Sequence, residues 1–294
     1  MNGTPKSILL ATDLSARCDR ALDRAVALSQ LWQAKLVVLH VLEDMRDEDT
    51  DPAILSWRRP PDPAGAAEQQ LLADIGPAAK TADVVIDRGD PAEAILRQAE
   101  MRGCDLIVTG IARDELLGRF VLGTTVDRLL RRSNVPVLVV KKRARQPYHH
   151  VAVATDFSEA SRHALETAAR LFPEQMLTIF HAYDPPMSGL TADPATYRRE
   201  YRQIAEMQYE AFLKTVPSGD AIRRRAHAFI EFGTPAHLIR EGVRDMNIDV
   251  VALGTQGRSA LSEALVGSIA KQIMAELPCD ALMVREPRGT APAT

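Results

Sequence analysis

Only three of the 294 residues are cysteine (Cys18, Cys104 and Cys279), an odd number without any CxxC spacing. That argues against a disulfide framework and against a zinc site of the usual spacing. No charge of one sign dominates: 36 basic residues face 39 acidic ones, a net charge of -3. Nothing in that balance favours a nucleic-acid partner. Long hydrophobic runs are missing as well. The longest, such as Val135 to Val140 with Pro136 inside it, are strand-sized and well short of the ~18 residues of a membrane helix. HExxH, the nucleophile elbow of α/β-hydrolases and GxxxxGK[ST] are all absent, so three common hydrolytic chemistries find no support. The opening MNGTPKSILLATD enters an apolar pattern without a signal-peptide layout. The expectation is a soluble, cytoplasmic protein with no nucleic-acid and no membrane partner. The hydrophobic share of 46% and charged share of 26% are those of a globular chain, and the length suits two domains of ~150 residues.

What the chain does contain is an internal repeat. ILLATDLS (Ile8 to Ser15) returns as VAVATDFS (Val151 to Ser158) after 143 residues. DRGDPAEAI (Asp87 to Ile95) returns as EFGTPAHLI (Glu231 to Ile239) after 144, and Gly110 and Gly123 return as Gly254 and Gly267 at the same offset. LVVLHV (Leu36 to Val41) matches LTIFHA (Leu177 to Ala182) after 141, so a small insertion or deletion lies nearby. A period of this length is a whole domain rather than a solenoid unit. The chain reads as a tandem duplication, with one domain in residues 1–142 and the other in 148–294.

Each copy alternates strand and helix patterns. Ser7 to Thr12 is a continuous apolar run ending at Asp13, the signature of a buried parallel strand followed by a turn. Ser15 is placed to cap the next helix, whose apolar stripe is Ala21, Ala25, Leu28 and Trp32. Further strands are expected at Leu36 to Val41, Asp83 to Asp87, Cys104 to Thr109 and Val137 to Val140. Helices are expected over Ala66 to Ala79, Ala92 to Arg102 and Thr124 to Arg132, with Asp90-Pro91 as cap and first-turn proline of the middle one. Gly110 to Leu122 is expected to be loop. In the second copy the strands are Val151 to Thr155, Leu177 to Ala182, Ile222 to Phe229, Asp249 to Leu253 and Ala281 to Val284. Its helices are Ser158 to Leu171, Thr196 to Thr215, Pro235 to Met246 and Ser268 to Glu276. The implied fold class is α/β: two tandem open-twisted five-stranded parallel-sheet (Rossmann-like) domains with helices on both faces. Lys141 to Gln146 (KKRARQ) reads as a solvated linker, although a basic run could also bind a polyanion. Glu286 to Thr294 reads as a frayed tail.

Open parallel sheets bind ligands beyond the carboxyl ends of their strands. The residues to weigh there are Asp13, Asp156, the ends of the second strands and the glycine loops. The second copy carries GTQGRSALSEALVGS, in which Gly254 is followed by Gly257 and then by Gly267-Ser268. Glycines permit positive φ and let backbone amides converge on an anion. Gly267-Ser268 opens a helix, where the dipole and the open amides favour phosphate, and Arg258 adds a charge for phosphate oxygens. The plain alternative is that these glycines only make turns; the whole spacing, after a strand and into a helix, argues against it.

The Gly-xx-Gly-x9-Gly-Ser loop, the strand-end Asp156 and the ALMV last strand resemble those of the universal stress protein family, and the duplicated chain resembles its tandem form. The resemblance runs from Lys6 to Arg285. It implies a stress-response protein that binds ATP or ADP, with or without Mg, as a sensor or scaffold. It further implies adenine and ribose beside Thr155, Asp156 and Ala182, and phosphates on Gly254, Gly257, Arg258, Gly267, Ser268 and Ile269. It also implies that the last strands, Val137 to Val140 and Ala281 to Val284, pair antiparallel within the chain.

The first copy departs from this pattern. Arg113 stands at the position of Gly257 and Asp114 at that of Arg258, followed by Glu115. A side chain replaces the close-approach glycine and carboxylates stand where phosphates would lie, so phosphate binding there is expected to be poor. His40 and His181, at matching strand ends, are expected as packed, hydrogen-bonded histidines, and the cysteines as helix and core residues. His149 and His150 are adjacent on a strand and face opposite ways, which argues against a two-histidine metal site. No residue suggests itself as a catalytic base. Two other readings stay open: a nucleotide-free module for small molecules or protein partners, and a slow ATP hydrolase. A homodimer is compatible with the sequence, and it names no protein partner.

Overall fold

The repeated apolar runs become strands of one sheet. The computed structural model describes residues 3–16, 18–43, 62–114, 119–184, 193–217, 219–257 and 266–286, and of 112–121 the backbone alone. The expected tail beyond Glu286 lies outside these residues.

In the first half, β1 (Ser7–Thr12), α1 (Asp19–Trp32), β2 (Lys35–Leu42), α2 (Pro63–Ile75), β3 (Asp83–Arg88), α3 (Pro91–Met101) and β4 (Leu106–Gly110) follow one another. Then come a hairpin of β5 (Ala112–Asp114) and β6 (Arg119–Val121), α4 (Thr124–Arg132) and β7 (Val137–Val140). The second half runs β8 (His150–Ala154), α5 (Glu159–Leu171), β9 (Met176–Tyr183), α6 (Pro194–Thr215), α7 (Gly219–Arg225) and β10 (Ala226–Phe232). It ends with α8 (Pro235–Asp245), β11 (Val250–Gly254), α9 (Ser268–Glu276) and β12 (Asp280–Val284).

Ten strands form a continuous sheet in the order β10-β9-β8-β11-β12-β7-β4-β1-β2-β3. Within each half the five strands are parallel, and the chain reverses its order beside β1 and beside β8. The halves join where β12 pairs antiparallel with β7, with Leu282 opposite Leu138. Those two leucines are 144 residues apart, so each faces its own counterpart in the repeat. The expected antiparallel pairing of the last strands is therefore present.

Alternate side chains of the strands feed two cores. Ile8, Leu10, Val38 and Val108, with Val151, Val153 and Ala252, pack under α1, α2, α5 and α6. Leu9, Val37 and Ile107, with Val251, Leu253 and Met283, pack under α3, α4, α8 and α9. A sheet buried on both faces explains why its strands read as unbroken apolar runs rather than as alternation.

Four expectations need correction. Ser15 does not cap α1: its amide and hydroxyl turn back onto Asp13 Oδ1, and α1 starts later, behind Cys18. In the second half Ser158 does cap α5, accepting from the Ser161 amide. The strand expected from Ile222 begins only at Ala226, because Gly219–Arg225 forms α7. That turn buries Ile222 in the core, and its last residue, Arg225, donates to the carbonyls of Ala169, Phe172 and Pro173. The stretch expected as loop after Gly110 contains the β5–β6 hairpin, in which Phe120 and Val121 supply strand-favouring residues.

Lys141, expected in solvent, is 2% exposed. Its ammonium donates to the carbonyls of Met274 and Leu277 at the C-terminal end of α9, where a cation is favoured. Burial pushes its pKa down to about 8, against the opposing pull of Cys279 and Asp280. Beside it, fully buried Asp280 accepts from the Lys141 amide (2.7 Å), the Lys142 amide (2.9 Å) and the Tyr148 hydroxyl (2.6 Å). Arg24 of α1 lies 3.6 Å from the same carboxylate, and its guanidinium covers the Tyr148 ring at 3.9 Å. The linker is thus part of the join between the halves.

Candidate functional site

The carboxyl ends of β8 and β11, the neighbours on either side of the order reversal, form the floor of a cavity of about 540 Å³. That lies inside the ~300–1,000 Å³ range of small-ligand sites. Thr155, Asp156, Ala182, Gly254, Gly257, Gly267, Ser268 and Ile269 all line it. Arg258, expected at the phosphates, lies outside the described residues.

The turn after β8 is tightly bonded. The Phe157 amide donates to Thr155 Oγ1 (2.9 Å), the Ser158 amide donates to Asp156 Oδ1 (3.0 Å), and Thr155 Oγ1 meets Ser161 Oγ at 2.8 Å. Phe157 takes a left-handed φ of 62°, which costs about 1–2 kcal/mol for a side chain of this size. His181 Nδ1 bonds the Thr155 carbonyl at 2.9 Å, and its ring stacks on Phe157 with centroids 4.0 Å apart. His181 is therefore the packed, hydrogen-bonded residue expected, and it also borders the cavity. His40 makes the matching bond to the Thr12 carbonyl at 3.0 Å.

The glycines work through space rather than through positive φ. None of Gly254, Gly257 and Gly267 has a left-handed φ, which corrects the expectation of conformational freedom. A Cβ on Gly254 would sit 2.9 Å from the Ala160 backbone, and one on Gly257 2.8 Å from Asp156 Oδ2. Gly254 lets the start of α5 close on β11, and Gly257 leaves room for the Asp156 carboxylate.

Gly267 gives α9 no side-chain cap, and its own amide donates to the Thr255 carbonyl at 2.9 Å. Among the described residues no side chain caps the first turn of α9 at the edge of the cavity, an arrangement suited to an anion. Much of the remaining lining is apolar, with Phe180, Leu238, Ile239, Leu253, Val266 and Ile273. Sequence reasoning missed these because they look like core residues. It also missed Lys271, which lines the cavity yet occupies a polar position of an amphipathic helix. Among the described residues no group of three His, Cys, Asp or Glu side chains is placed to hold a metal, and no helix is long and apolar enough to cross a membrane.

A family model described as the universal stress protein family matches residues 5–141 and again 147–285. The chain belongs to the universal stress protein family. It carries two such domains in tandem. A curated universal stress protein E homolog of Haemophilus influenzae is 25% identical over 213 residues, 68% of this chain and 68% of that protein. A universal stress protein of Methanocaldococcus jannaschii is 26% identical over 145 residues, covering 48% of this chain and 84% of its own length. Among solved structures, a universal stress protein from Archaeoglobus fulgidus aligns over 95% of this chain and 98% of its own, with TM-score 0.65 and 20% identity. That alignment supports the two-domain fold.

Proposed function

We propose that this universal stress protein is an adenine-nucleotide-binding sensor or scaffold of the cytoplasm, holding one ATP or ADP per chain in its second half. The observation that carries the reading is the pairing, in one cavity, of an apolar slot with the uncapped first turn of α9. A nucleotide needs both, one for its base and one for its phosphates. Adenine and ribose would lie by Thr155, Asp156 and Ala182. The phosphates would lie on Gly254, Gly257, Arg258, Gly267, Ser268 and Ile269, with Mg carried by the phosphates rather than by a protein carboxylate cluster. The domain of residues 148–294 is then the binding half. The domain of residues 1–142 keeps the scaffold with a degenerate loop, in which Arg113 replaces Gly257 and Asp114 replaces Arg258.

Native mass spectrometry of freshly purified protein, followed by calorimetry with ATP and ADP, tests this. The expected result is a stoichiometry of one per chain. Two nucleotides per chain would refute the asymmetry, and no binding would refute the nucleotide reading altogether.

A further inference from the structure

Lys271 stands at the fourth position of α9, and among the described residues lining the cavity it is the one lysine or arginine. Side chains on a helix lean back toward its N-terminus. From this position the side chain has the reach to bring its ammonium over the first turn of α9, where Gly267, Ser268 and Ile269 border the same cavity. In the structure its ammonium is paired with the other half of the protein: Lys271 Nζ lies 2.8 Å from Asp127 Oδ1 of α4, while the second oxygen of Asp127 pairs with Arg131 at 2.6 Å. The pair is within reach of solvent, with side chains 38% and 20% exposed. Partial burial works against ionisation of Asp127, but the positive charges of Lys271 and Arg131 beside it outweigh that and hold the carboxyl below its usual range. Asp127 and Lys271 are 144 residues apart and so are counterparts in the repeat. Where the second-half site presents an ammonium, the first half presents a carboxylate.

Resting on the nucleotide reading above, we infer that Lys271 contacts the polyphosphate of a nucleotide bound in the second half and sets the preference for di- and triphosphates. Asp127 is its counter-ion, contributed by the first half. The ammonium has two claimants, a carboxylate and a polyphosphate. The polyphosphate carries more charge, while adenosine carries none and does not compete. Selectivity for phosphate number then depends on a residue of the half that does not hold the ligand.

The test is a matrix of calorimetric affinities for adenosine, AMP, ADP and ATP with the wild type, Lys271→Met, Lys271→Arg and Asp127→Asn. Lys271→Met is expected to weaken ATP and ADP about tenfold or more and to leave adenosine unchanged. Lys271→Arg should keep most of the ATP affinity. Asp127→Asn, with the competing charge removed, should tighten ATP severalfold without affecting adenosine. If Lys271→Met weakens adenosine as much as ATP, or leaves ATP unchanged, the inference is overturned while the nucleotide reading stands. A wild type that binds none of the four overturns the nucleotide reading itself. Thermal melts of each variant show that the fold is retained, as expected for a partly exposed pair.

Discussion

The two halves share their strained turn and differ in what surrounds it. After β1 the Leu14 amide donates to Thr12 Oγ1 at 3.1 Å and the Ser15 amide to Asp13 Oδ1 at 3.0 Å; after β8 the matching bonds are 2.9 and 3.0 Å. Leu14 and Phe157 both sit at a left-handed φ, 60° and 62°. A bulky residue held in that conformation twice marks a turn that both copies have kept despite its cost. The change lies beyond it. Ser161 becomes Cys18, whose thiol burial pushes to about pKa 11. Gly257 becomes Arg113, Lys271 becomes Asp127, and the glycine loop becomes a hairpin whose β6 lies beside α9 of the other half. Duplication left the frame that presents an aspartate at the strand end intact and freed one copy of its loop for contact with its neighbour.

The largest expected effect comes from breaking the join. Asp280→Ala leaves Lys141 and Arg24 without their buried counter-charge, a loss of about 3–5 kcal/mol. Urea unfolding would read it, and a loss below 1 kcal/mol would show that the carboxylate is dispensable.

Lys141 sharpens the same point through pH. Its folded pKa of about 8 lies below the ordinary 10.5, so above pH 8 the unfolded chain holds more protons at this site than the folded one. This group's contribution to stability therefore rises with pH between about 8 and 10.5, by up to roughly 3 kcal/mol. Lys141→Met should remove that rise. The comparison must be the difference between the two unfolding curves, because the Cys279 thiol, pushed up to about 12 by burial, acts in the opposite sense above pH 9.

Making the second half resemble the first is the next step. Gly257→Arg would force its Cβ against Asp156 and is expected to reduce ATP affinity by at least tenfold to a hundredfold, about 1.5–3 kcal/mol. The melting temperature should barely move. Wild-type affinity in this variant would show that the glycine is no requirement. The smallest contrast is between two serines of the shared motif. Ser158→Ala removes a helix cap and should cost about 1 kcal/mol, whereas Ser15→Ala, which removes no cap, should cost under half of that. Equal losses in thermal melts would mean that the two turns are energetically alike.

The repeat made most of this architecture legible. Matching ILLATDLS with VAVATDFS placed β1 and β8, and the spacing of Gly254, Gly257 and Gly267 led to residues that line one cavity. Sequence reasoning failed where tertiary partners override local pattern. Nothing local distinguishes Lys141 from the basic residues after it, because the carbonyls that receive its ammonium lie more than 130 positions away. Ile222 to Arg225 has no period that separates strand from helix, and the core beneath Ile222 decides. Ser15 and Ser158 occupy the same motif, yet only one caps, since α1 starts farther from its turn. Lys271 was hidden because a polar position on a helix normally means solvent.

The join at Leu138 and Leu282 has a consequence for which strands are permitted to meet. At a seam of this kind each residue faces its counterpart, so a β7–β7 pairing between two chains would bring Asp127 against Asp127, and a β12–β12 pairing would bring Lys271 against Lys271. Both juxtapose like charges; only β7 with β12 brings the carboxylate to the ammonium. A single-domain chain pairing with an identical copy cannot have such a polarity, because both sides of its axis carry the same residue. By diverging at one pair of equivalent positions, the duplicated chain has given its seam a direction, and each half is marked as the partner of the other rather than of itself.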